Sequence, residues 1–235
     1  MEFHEIVLEG RRVPYRLRRS DRARWVHAEI GLRTGLRVTL PAALDASVAE
    51  TFLRSRRRWV VRVLGRFERL AQIVPDRTLA HGTPVPYLGR ELRLELLVGE
   101  TRVECRGEIL SVRLPRRVRG TVARTLEGWY REEAGRIFEG WARDLGRRHD
   151  LAFRRIVIGD QKRRWGTCYT NGTLSFNWRL MLAPEAVARY LVAHELSHVA
   201  VQNHSDRFWA KVEELCPGYE ESERWLRKLG ASLVL

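Results

Sequence analysis

The chain contains little cysteine, methionine and lysine. Three cysteines and two methionines occur among 235 residues, and only three of the 43 basic residues are lysines. Cys105, Cys168 and Cys216 lie far apart and form no C-x-x-C pair, which argues against a disulfide framework and against a thiolate zinc site. We expect three reduced thiols.

Long apolar runs are also missing from the sequence. No stretch approaches the roughly 18 consecutive apolar residues of a transmembrane helix, and the first six residues have neither the basic nor the apolar region of a signal peptide. We therefore expect a cytoplasmic protein with no membrane partner. The content of 44% hydrophobic and 31% charged residues excludes a largely disordered chain.

The full chain has a net charge of +14, and the positive charge is concentrated in its first part. Residues 1–150 hold 31 basic and 20 acidic side chains, a net of +11, whereas residues 151–235 hold 12 and 9, a net of +3. Arg54, Arg58 and Arg62 recur every four residues on a predicted helix, which predicts a basic stripe for nucleic-acid phosphates, with DNA as the partner. A solvated helix face is the alternative interpretation of the same spacing.

Residues 1–150 form a predicted N-terminal region of two similar units, about 1–75 and 76–150. Each unit has β-prone segments, then a proline, then a long amphipathic helix, over about 46–73 and 118–147. The first helix is expected to end before Pro75. An offset of 74 residues aligns matching side chains of the two units and suggests a duplication. The matches are Leu36 with Leu110, Val38 with Val112, Leu40 with Leu114, Pro41 with Pro115, Val48 with Val122, Ala49 with Ala123 and Thr51 with Thr125.

Residues 151–235 are predicted to form a separate C-terminal domain. Asn171-Gly172 predicts a type I′ hairpin turn between two of its strands. The predicted elements are strands over 154–158, 162–169 and 173–178, a buried helix that begins at Pro184, and short helices over about 205–215 and 219–229. The whole chain is therefore predicted to be α+β, with a β-rich N-terminal part that contains two long helices.

The buried helix carries an H-E-x-x-H motif, and a third imidazole follows it. Residues four apart lie on one helix face, so His194 and His198 can bind a single zinc ion at about 2.0–2.1 Å. Glu195, next to the first ligand, is the candidate general base for a water that zinc activates. We expect one zinc ion per chain, and the competing interpretation is a pair of core histidines with no metal.

The third ligand follows less directly from the spacing. His204 is favoured, with Asn203 in a left-handed conformation to turn the chain back toward the site. The rival carboxylates are Asp206, Glu213 and Glu214. A metzincin is not expected, because Val201 stands where that class needs glycine and no methionine is placed for a Met-turn.

Five groups of motifs are densest between residues 154 and 230. They are Arg164-Trp165-Gly166-Thr167-Cys168, Leu174 to Leu180, His194 to His198, Asn203-His204-Ser205 with Phe208-Trp209, and Cys216-Pro217-Gly218-Tyr219 with Trp225-Leu226. In this combination the chain resembles the bacterial YgjP-like metallopeptidase-domain family and, in motif order, its SprT-like and WLM relatives. The resemblance implies a zincin-like C-terminal domain, a metal set of His194, His198 and His204, and Glu195 as the catalytic carboxylate. Thr167 stands where serine is usual.

Residues and resemblance together predict a zinc-dependent metallopeptidase with a polypeptide substrate. Arg164 and Trp165 are candidate substrate contacts on an edge strand above the metal, with ordinary hairpin packing as the alternative. Two other functions stay open: a zinc-dependent nucleotide phosphohydrolase, and a DNA-associated protein with a secondary zinc domain. Few cations lie near the site in sequence, so we expect an open cleft with one or two of them. These candidates are Lys162, Arg163, Arg164, Arg179 and Arg207.

Overall fold

The computed structural model describes residues 2–73, 78–115, 121–161 and 163–235. These residues form an α+β protein with eleven strands and six α-helices. The strands are β1 Glu2–Leu8, β2 Arg11–Ser20, β3 His27–Gly31, β4 Gly35–Pro41, β5 Pro84–Tyr87, β6 Arg90–Val98, β7 Arg102–Arg106, β8 Ile109–Leu114, β9 Arg155–Gly159, β10 Gly166–Cys168 and β11 Thr173–Asn177. The α-helices are α1 Ala46–Ser55, α2 Arg57–Ile73, α3 Thr121–His149, α4 Glu185–Ala200, α5 Asp206–Leu215 and α6 Tyr219–Leu229.

The chain divides into two compact units, Met1–Asp76 and Arg77–Leu235. The predicted boundary at 150 differs from this division, because α3 shares one hydrophobic core with the C-terminal elements. Phe138 of α3, for example, lies edge-on against Phe176 of β11, with ring centroids 5.6 Å apart. The described residues between 78 and 150 therefore pack with the region that carries the H-E-x-x-H motif.

The first unit is a four-stranded sheet packed against two helices. Its strands alternate buried and exposed residues, as in β2, where Val13, Tyr15 and Leu17 enter the core. Helices α1 and α2 contribute Leu53 and Val60 to the same core. One face of this sheet is therefore packed and the other is left to solvent.

The single helix predicted over 46–73 is interrupted. It ends as α1 at Ser55, whose hydroxyl donates to the carbonyl of Phe52 at 2.7 Å, and α2 begins at Arg57. Serine hydroxyls compete for helix carbonyls in this way, and the periodicity of apolar residues does not register it. Pro75 and the predicted start of the second helix at 118 lie outside the described residues.

The two units contain sheets of the same topology. The strand orders are β1-β2-β4-β3 and β5-β6-β8-β7, and in each sheet the central pair is parallel and both outer pairs are antiparallel. Tyr15 pairs with Leu36 as Leu94 pairs with Leu110. The offset of 74 therefore holds for the fourth strand of each sheet (36 to 110), whereas the second strand is offset by 79 residues (15 to 94).

The C-terminal elements add a three-stranded sheet of order β10-β11-β9. The central strand β11 is entirely buried, parallel to β9 and antiparallel to β10. The strand predicted over 162–169 is confined to Gly166–Cys168. The predicted type I′ turn is also wrong: Gly172 has a positive φ but Asn171 does not, and the N–H of Gly172 bonds the carbonyl of Tyr169. This is a type I turn followed by a left-handed glycine.

Candidate metal centre

Helix α4 is buried on nearly every side and carries two of the three candidate ligands. It contacts α3, α5, α6, β10 and β11, and its polar residues Glu195, Ser197 and His198 are buried together with its apolar ones. His194 and His198, one turn apart, have ring centroids 5.2 Å from each other. The helix therefore presents both imidazoles to one place, as the spacing predicts.

The third histidine reaches the same place from the loop between α4 and α5. His204 Nε2 lies 3.2 Å from His194 Nε2, and candidate ligand atoms of the three histidines lie within 4.8 Å of one another. Two nitrogen ligands of a tetrahedral zinc ion, each at about 2.05 Å, would be about 3.3 Å apart. The chemistry and spacing of these donors therefore fit one zinc-sized ion.

The loop from His198 to His204 turns without a left-handed residue, so the conformation predicted for Asn203 is wrong. Two side chains organise the turn instead. The amide of Gln202 donates to the carbonyl of His198 at 2.6 Å, and Oδ1 of Asn203 accepts the N–H of Ser205 at 3.3 Å. These hydrogen bonds satisfy backbone groups at the end of α4 and ahead of α5.

The rival carboxylates lie outside the histidine cluster. Glu213 accepts the N–H of Gly218, with both oxygens at 3.2 Å. Glu214 pairs with Lys211 and with His149. Asp206 is an exposed residue in the first turn of α5. Among the residues the structure describes, the group that could hold a metal ion consists of the three histidines.

Neighbouring groups orient the imidazoles. His198 Nδ1 lies 3.0 Å from the carbonyl of Val201, which fixes the proton on Nδ1 and leaves Nε2 free to bind a metal. The hydroxyl of Tyr190 lies 3.4 Å from His194 Nδ1. Phe208 packs against all three rings, with centroid distances of 4.3 to 4.9 Å. The ligand positions are thus set by hydrogen bonds and by packing.

The electrostatics keep the two helix histidines neutral. Burial, with the nearby His198 and His204, lowers the pKa of His194 to about 3. Burial is also the main cause that lowers the pKa of His198. Because a metal binds the neutral imidazole, both side chains are in the form that binds a cation at neutral pH.

Glu195 lies against β10 and is almost fully buried. Its carboxylate accepts the backbone N–H of Cys168, and a Cβ built on Gly166 would come within 2.5 Å of one of its oxygens. Burial raises the pKa of Glu195 to about 7, while the Cys168 hydrogen bond and the charge of Arg164 act in the opposite direction. A carboxyl group with this pKa can accept and return a proton near neutral pH.

Strand β10 is an edge strand beside the site. Trp165 and Tyr169, which flank it, bond to residues on the β11 side. Because successive residues of a strand alternate in direction, the backbone groups of Gly166 and Cys168 point away from β11. One of them, the N–H of Cys168, is the donor to Glu195. The edge predicted from the sequence exists, although it is shorter than expected.

The candidate cations are distributed unevenly around the site. Arg164 is exposed, donates to the hydroxyl of Thr167 at 3.2 Å, and acts electrostatically on Glu195. Arg179 pairs with Asp160 and lies over the ring of Trp178. The remaining candidates are Arg163 and Arg207, which are exposed, and Lys162, which lies outside the described residues.

The indole ring of Trp165 packs against Gly230 and the hydrophobic core of the second unit. A Cβ built on Gly230 would meet its indole ring at 3.0 to 3.2 Å, and the side chain joins the hydrophobic core of the second unit. Its carbonyl accepts the N–H of Asn177 at 2.8 Å. We therefore assign Trp165 to packing and retain Arg164 as the candidate substrate contact.

The family model of the YgjP-like metallopeptidase domain matches residues 26–229. The chain belongs to this family. The match includes the H-E-x-x-H helix, His204 and the Gly166–Cys168 strand, so this YgjP-like metallopeptidase has its candidate metal-binding cluster inside the family's domain.

Solved structures with partial similarity are also metallopeptidases. The zymogen of abylysin from Pyrococcus abyssi is 24% identical, with 40% of this chain and 95% of that chain covered and a TM-score of 0.34. The zymogen of jannalysin from Methanocaldococcus jannaschii is 18% identical, with 40% and 94% covered and the same TM-score. No match was found among the curated proteins.

The arginines predicted to bind nucleic acid do not form one continuous stripe. Arg54 lies on α1, where its guanidinium is 4.0 Å from the carboxylate of Glu50, whereas Arg58 and Arg62 lie on α2. Arg58 and Arg62 line a cavity of about 500 Å³ whose other lining residues are Ser55, Arg56, Arg57 and Trp59. In the parts of the chain that the structure describes, no helix is both long enough and apolar enough to cross a bilayer.

Sequence reasoning missed several residues that shape the metallopeptidase site. Tyr190 lies one turn before His194, and this i, i+4 spacing could have indicated its contact. Phe208 could be placed near the site only through the resemblance. The approach of Glu195 to Gly166 joins α4 to β10, and no local pattern in the sequence indicates it.

Proposed function

We propose that this YgjP-like metallopeptidase hydrolyses peptide bonds with the help of zinc. The observation that carries the proposal is the convergence of three imidazoles, with the buried Glu195 directly after the first of them in α4. We assign these residues to a zincin-like arrangement in which α4 supplies two ligands and the carboxylate. The substrate we propose is a polypeptide.

The ligand set favours zinc. His194, His198 and His204 offer three imidazole nitrogen donors, which is the ligand number of catalytic zinc sites that keep a position open. When bound, zinc supplies a Lewis acid that polarises the scissile carbonyl and lowers the pKa of water. The chain's contribution is to hold the imidazoles in place through Val201, Tyr190 and Phe208.

Glu195 moves the proton in this proposal. The carboxylate takes a proton from the attacking water as the new C–O bond forms, and returns it to the amine as the C–N bond breaks. The N–H of Cys168 holds one position of the carboxylate, and the absence of a side chain at Gly166 gives it space. A pKa of about 7 suits both halves of the cycle.

The free edge of β10 supports a peptide as the substrate. An extended chain can pair with the outward backbone groups of Gly166 and with the outward carbonyl of Cys168, whose N–H is taken by Glu195. Arg164, on the same segment, can donate to a substrate carbonyl. A nucleotide substrate would need several cations around its phosphates. Among the described candidates, Arg164 is the cation that acts on Glu195, whereas Arg179 pairs with Asp160.

The variant Glu195→Gln tests the proposed roles, because it separates metal binding from proton transfer. It should keep the fold and about one zinc per chain, and lose most peptide-bond hydrolysis, since glutamine cannot accept the proton. Zinc is measured by elemental analysis and turnover with unfolded casein. Full casein hydrolysis by Glu195→Gln would show that another group is the base.

A further inference from the structure

One face of the first sheet, β1 to β4, is turned toward solvent. On this face, the charged side chains of the two central strands, β2 and β4, are all arginines. Arg12, Arg16 and Arg18 alternate with the core residues of β2 and are exposed. Arg37 of β4 is the register partner of Arg16 on one side, and Phe3 of β1 is its partner on the other. We call this surface the outer face.

Much of this positive charge is available to a partner. Arg12 lies 3.7 Å from Glu5, and Arg37 is paired with Glu29 at 2.7 Å. For the part of the chain that the structure describes, neither Arg16 nor Arg18 has a carboxylate partner. The guanidinium of Arg16 instead lies over the ring of Phe3, 5.3 Å from its centroid. Phe3 is itself 77% exposed.

The second sheet is an internal reference for the outer face, because its topology is the same. At its matching positions, Glu95 replaces Arg16 and Ser111 replaces Arg37, and these two residues are joined by a 2.6 Å hydrogen bond. The matched pairs on the central strands are Arg12 with Glu91, Arg16 with Glu95, Arg18 with Leu97, and Arg37 with Ser111. Two neighbouring arginines repel each other, whereas a glutamate and a serine attract. The fold does not require a basic face.

The loop after β2 adds further groups of the same kind. It spans residues 21–26, six residues against the three of 99–101 in the second sheet. The extra length brings Arg22, Arg24 and Trp25, and the Trp25 side chain is 82% exposed. The loop begins three residues after Arg18, at one end of the outer face.

We propose that the outer face and loop 21–26 bind single-stranded nucleic acid. Guanidinium groups pair with phosphates, and the exposed rings of Phe3 and Trp25 offer surfaces on which unpaired bases can stack. A duplex presents phosphates but keeps its base faces stacked inside. The proposal concerns residues of the first unit alone and does not rest on the proposed peptidase function.

The test is fluorescence anisotropy of the full-length protein with labelled single strands of about 12 nucleotides, RNA and DNA, and with a duplex of equal length. The double variant Arg16→Glu/Arg18→Glu should weaken single-strand binding at least about tenfold. It should also reduce the steepness with which the logarithm of the binding constant falls with the logarithm of salt concentration (the salt slope) by about 1.4. Each of the two guanidinium–phosphate pairs that it removes accounts for about 0.7 of that slope. Its control is Arg93→Glu/Arg113→Glu, two outward arginines on the central strands β6 and β8 of the second sheet. The control should weaken binding less than about threefold.

Stacking is tested with Phe3→Ala, whose matched control is Val7→Ala, another outward and exposed residue of β1. Phe3→Ala should weaken single-strand binding at least about fivefold without changing the salt slope, and Val7→Ala should have little effect. Circular dichroism and casein hydrolysis should be unchanged in both, because these side chains are outside the cores and the peptidase site.

Four results would overturn the proposal. One is the absence of single-strand binding at about 50 mM salt. Another is an equal loss in both double variants, which would mean that net charge alone attracts the strand. A third is tighter binding of the duplex. The fourth is a loss confined to Arg58→Glu/Arg62→Glu, which would assign binding to the cavity on α2.

Discussion

The backbone of Gly166 lies so close to the side chain of Glu195 that residue 166 has no room for a side chain of its own. A Cβ on Gly166 would lie 2.5 Å from Oε1 and 2.6 Å from Cγ of Glu195. The backbone of Gly166 does not have a positive φ, so glycine is needed there for space and not for its conformational freedom. The edge strand and the carboxylate of Glu195 are therefore positioned by the same contact.

Gly166→Ala should displace the Glu195 carboxylate while leaving the histidines in place. We expect casein hydrolysis to fall about tenfold to a hundredfold, because a shift near 1 Å at a reacting group has effects of that size. Zinc content should remain near one per chain. An unchanged rate would contradict the close approach.

Gly128→Ala is the matched control for this substitution. Gly128 lies in α3, and a Cβ there would meet nothing within 4 Å. Alanine in a helix interior should leave activity unchanged and raise the free energy of unfolding by about 0.5–1 kcal/mol. Denaturant unfolding and casein hydrolysis measure the two effects.

The ligand set predicts how zinc content responds to single substitutions. His194→Ala, His198→Ala and His204→Ala should each lose most of the zinc, because each removes one of three protein ligands. Glu213→Ala and Glu214→Ala should retain it. Elemental analysis after dialysis measures zinc per chain. If His204→Ala kept its zinc and a glutamate variant lost it, the third ligand would be a carboxylate of α5.

Tyr190→Phe should weaken zinc binding without unfolding the protein. The substitution removes the hydroxyl 3.4 Å from His194 Nδ1 and keeps the ring. Loss of such a supporting group typically reduces metal affinity about tenfold to a hundredfold, and chelator competition measures it. Tyr219→Phe is the control, because Tyr219 stacks on Tyr190 without contacting a ligand through its hydroxyl. Equal affinities in the two variants would assign Tyr190 to packing alone.

Arg164→Ala should reduce peptide hydrolysis by about tenfold, since it removes one charged donor next to the proposed substrate strand. The adjacent and exposed Arg163 provides the control variant Arg163→Ala. Steady-state kinetics on a casein-derived peptide compares the two. A larger loss of hydrolysis in Arg163→Ala than in Arg164→Ala would show that the substrate contacts Arg163 and not Arg164.

The parts of the site that follow from local spacing were predictable. His194 and His198 are one turn apart on a helix, and helices α5 and α6 begin and end within one residue of their predicted limits. Both features depend on neighbours within about four residues along the chain. The sequence around His204 favoured it over the rival carboxylates, and the resemblance implied the same third ligand.

The remaining features depend on contacts between residues far apart in sequence. The core that joins Phe138 to Phe176 determines where the chain divides, whereas the order of predicted strands and helices placed that division at 150. The fit of Glu195 against Gly166 spans 29 residues, from 166 to 195. Apolar periodicity records which face of an element is buried but not which partner covers it.

The most direct test of the central claim offers two substrate classes to the same zinc-loaded protein. Unfolded casein and nucleoside triphosphates are incubated side by side with the native sequence, with Glu195→Gln and with chelator-treated protein. We predict casein cleavage by the native sequence, its loss in the other two, and no release of pyrophosphate. Rapid pyrophosphate release that Glu195→Gln abolishes, with casein left intact, would contradict a peptidase and identify a nucleotide hydrolase.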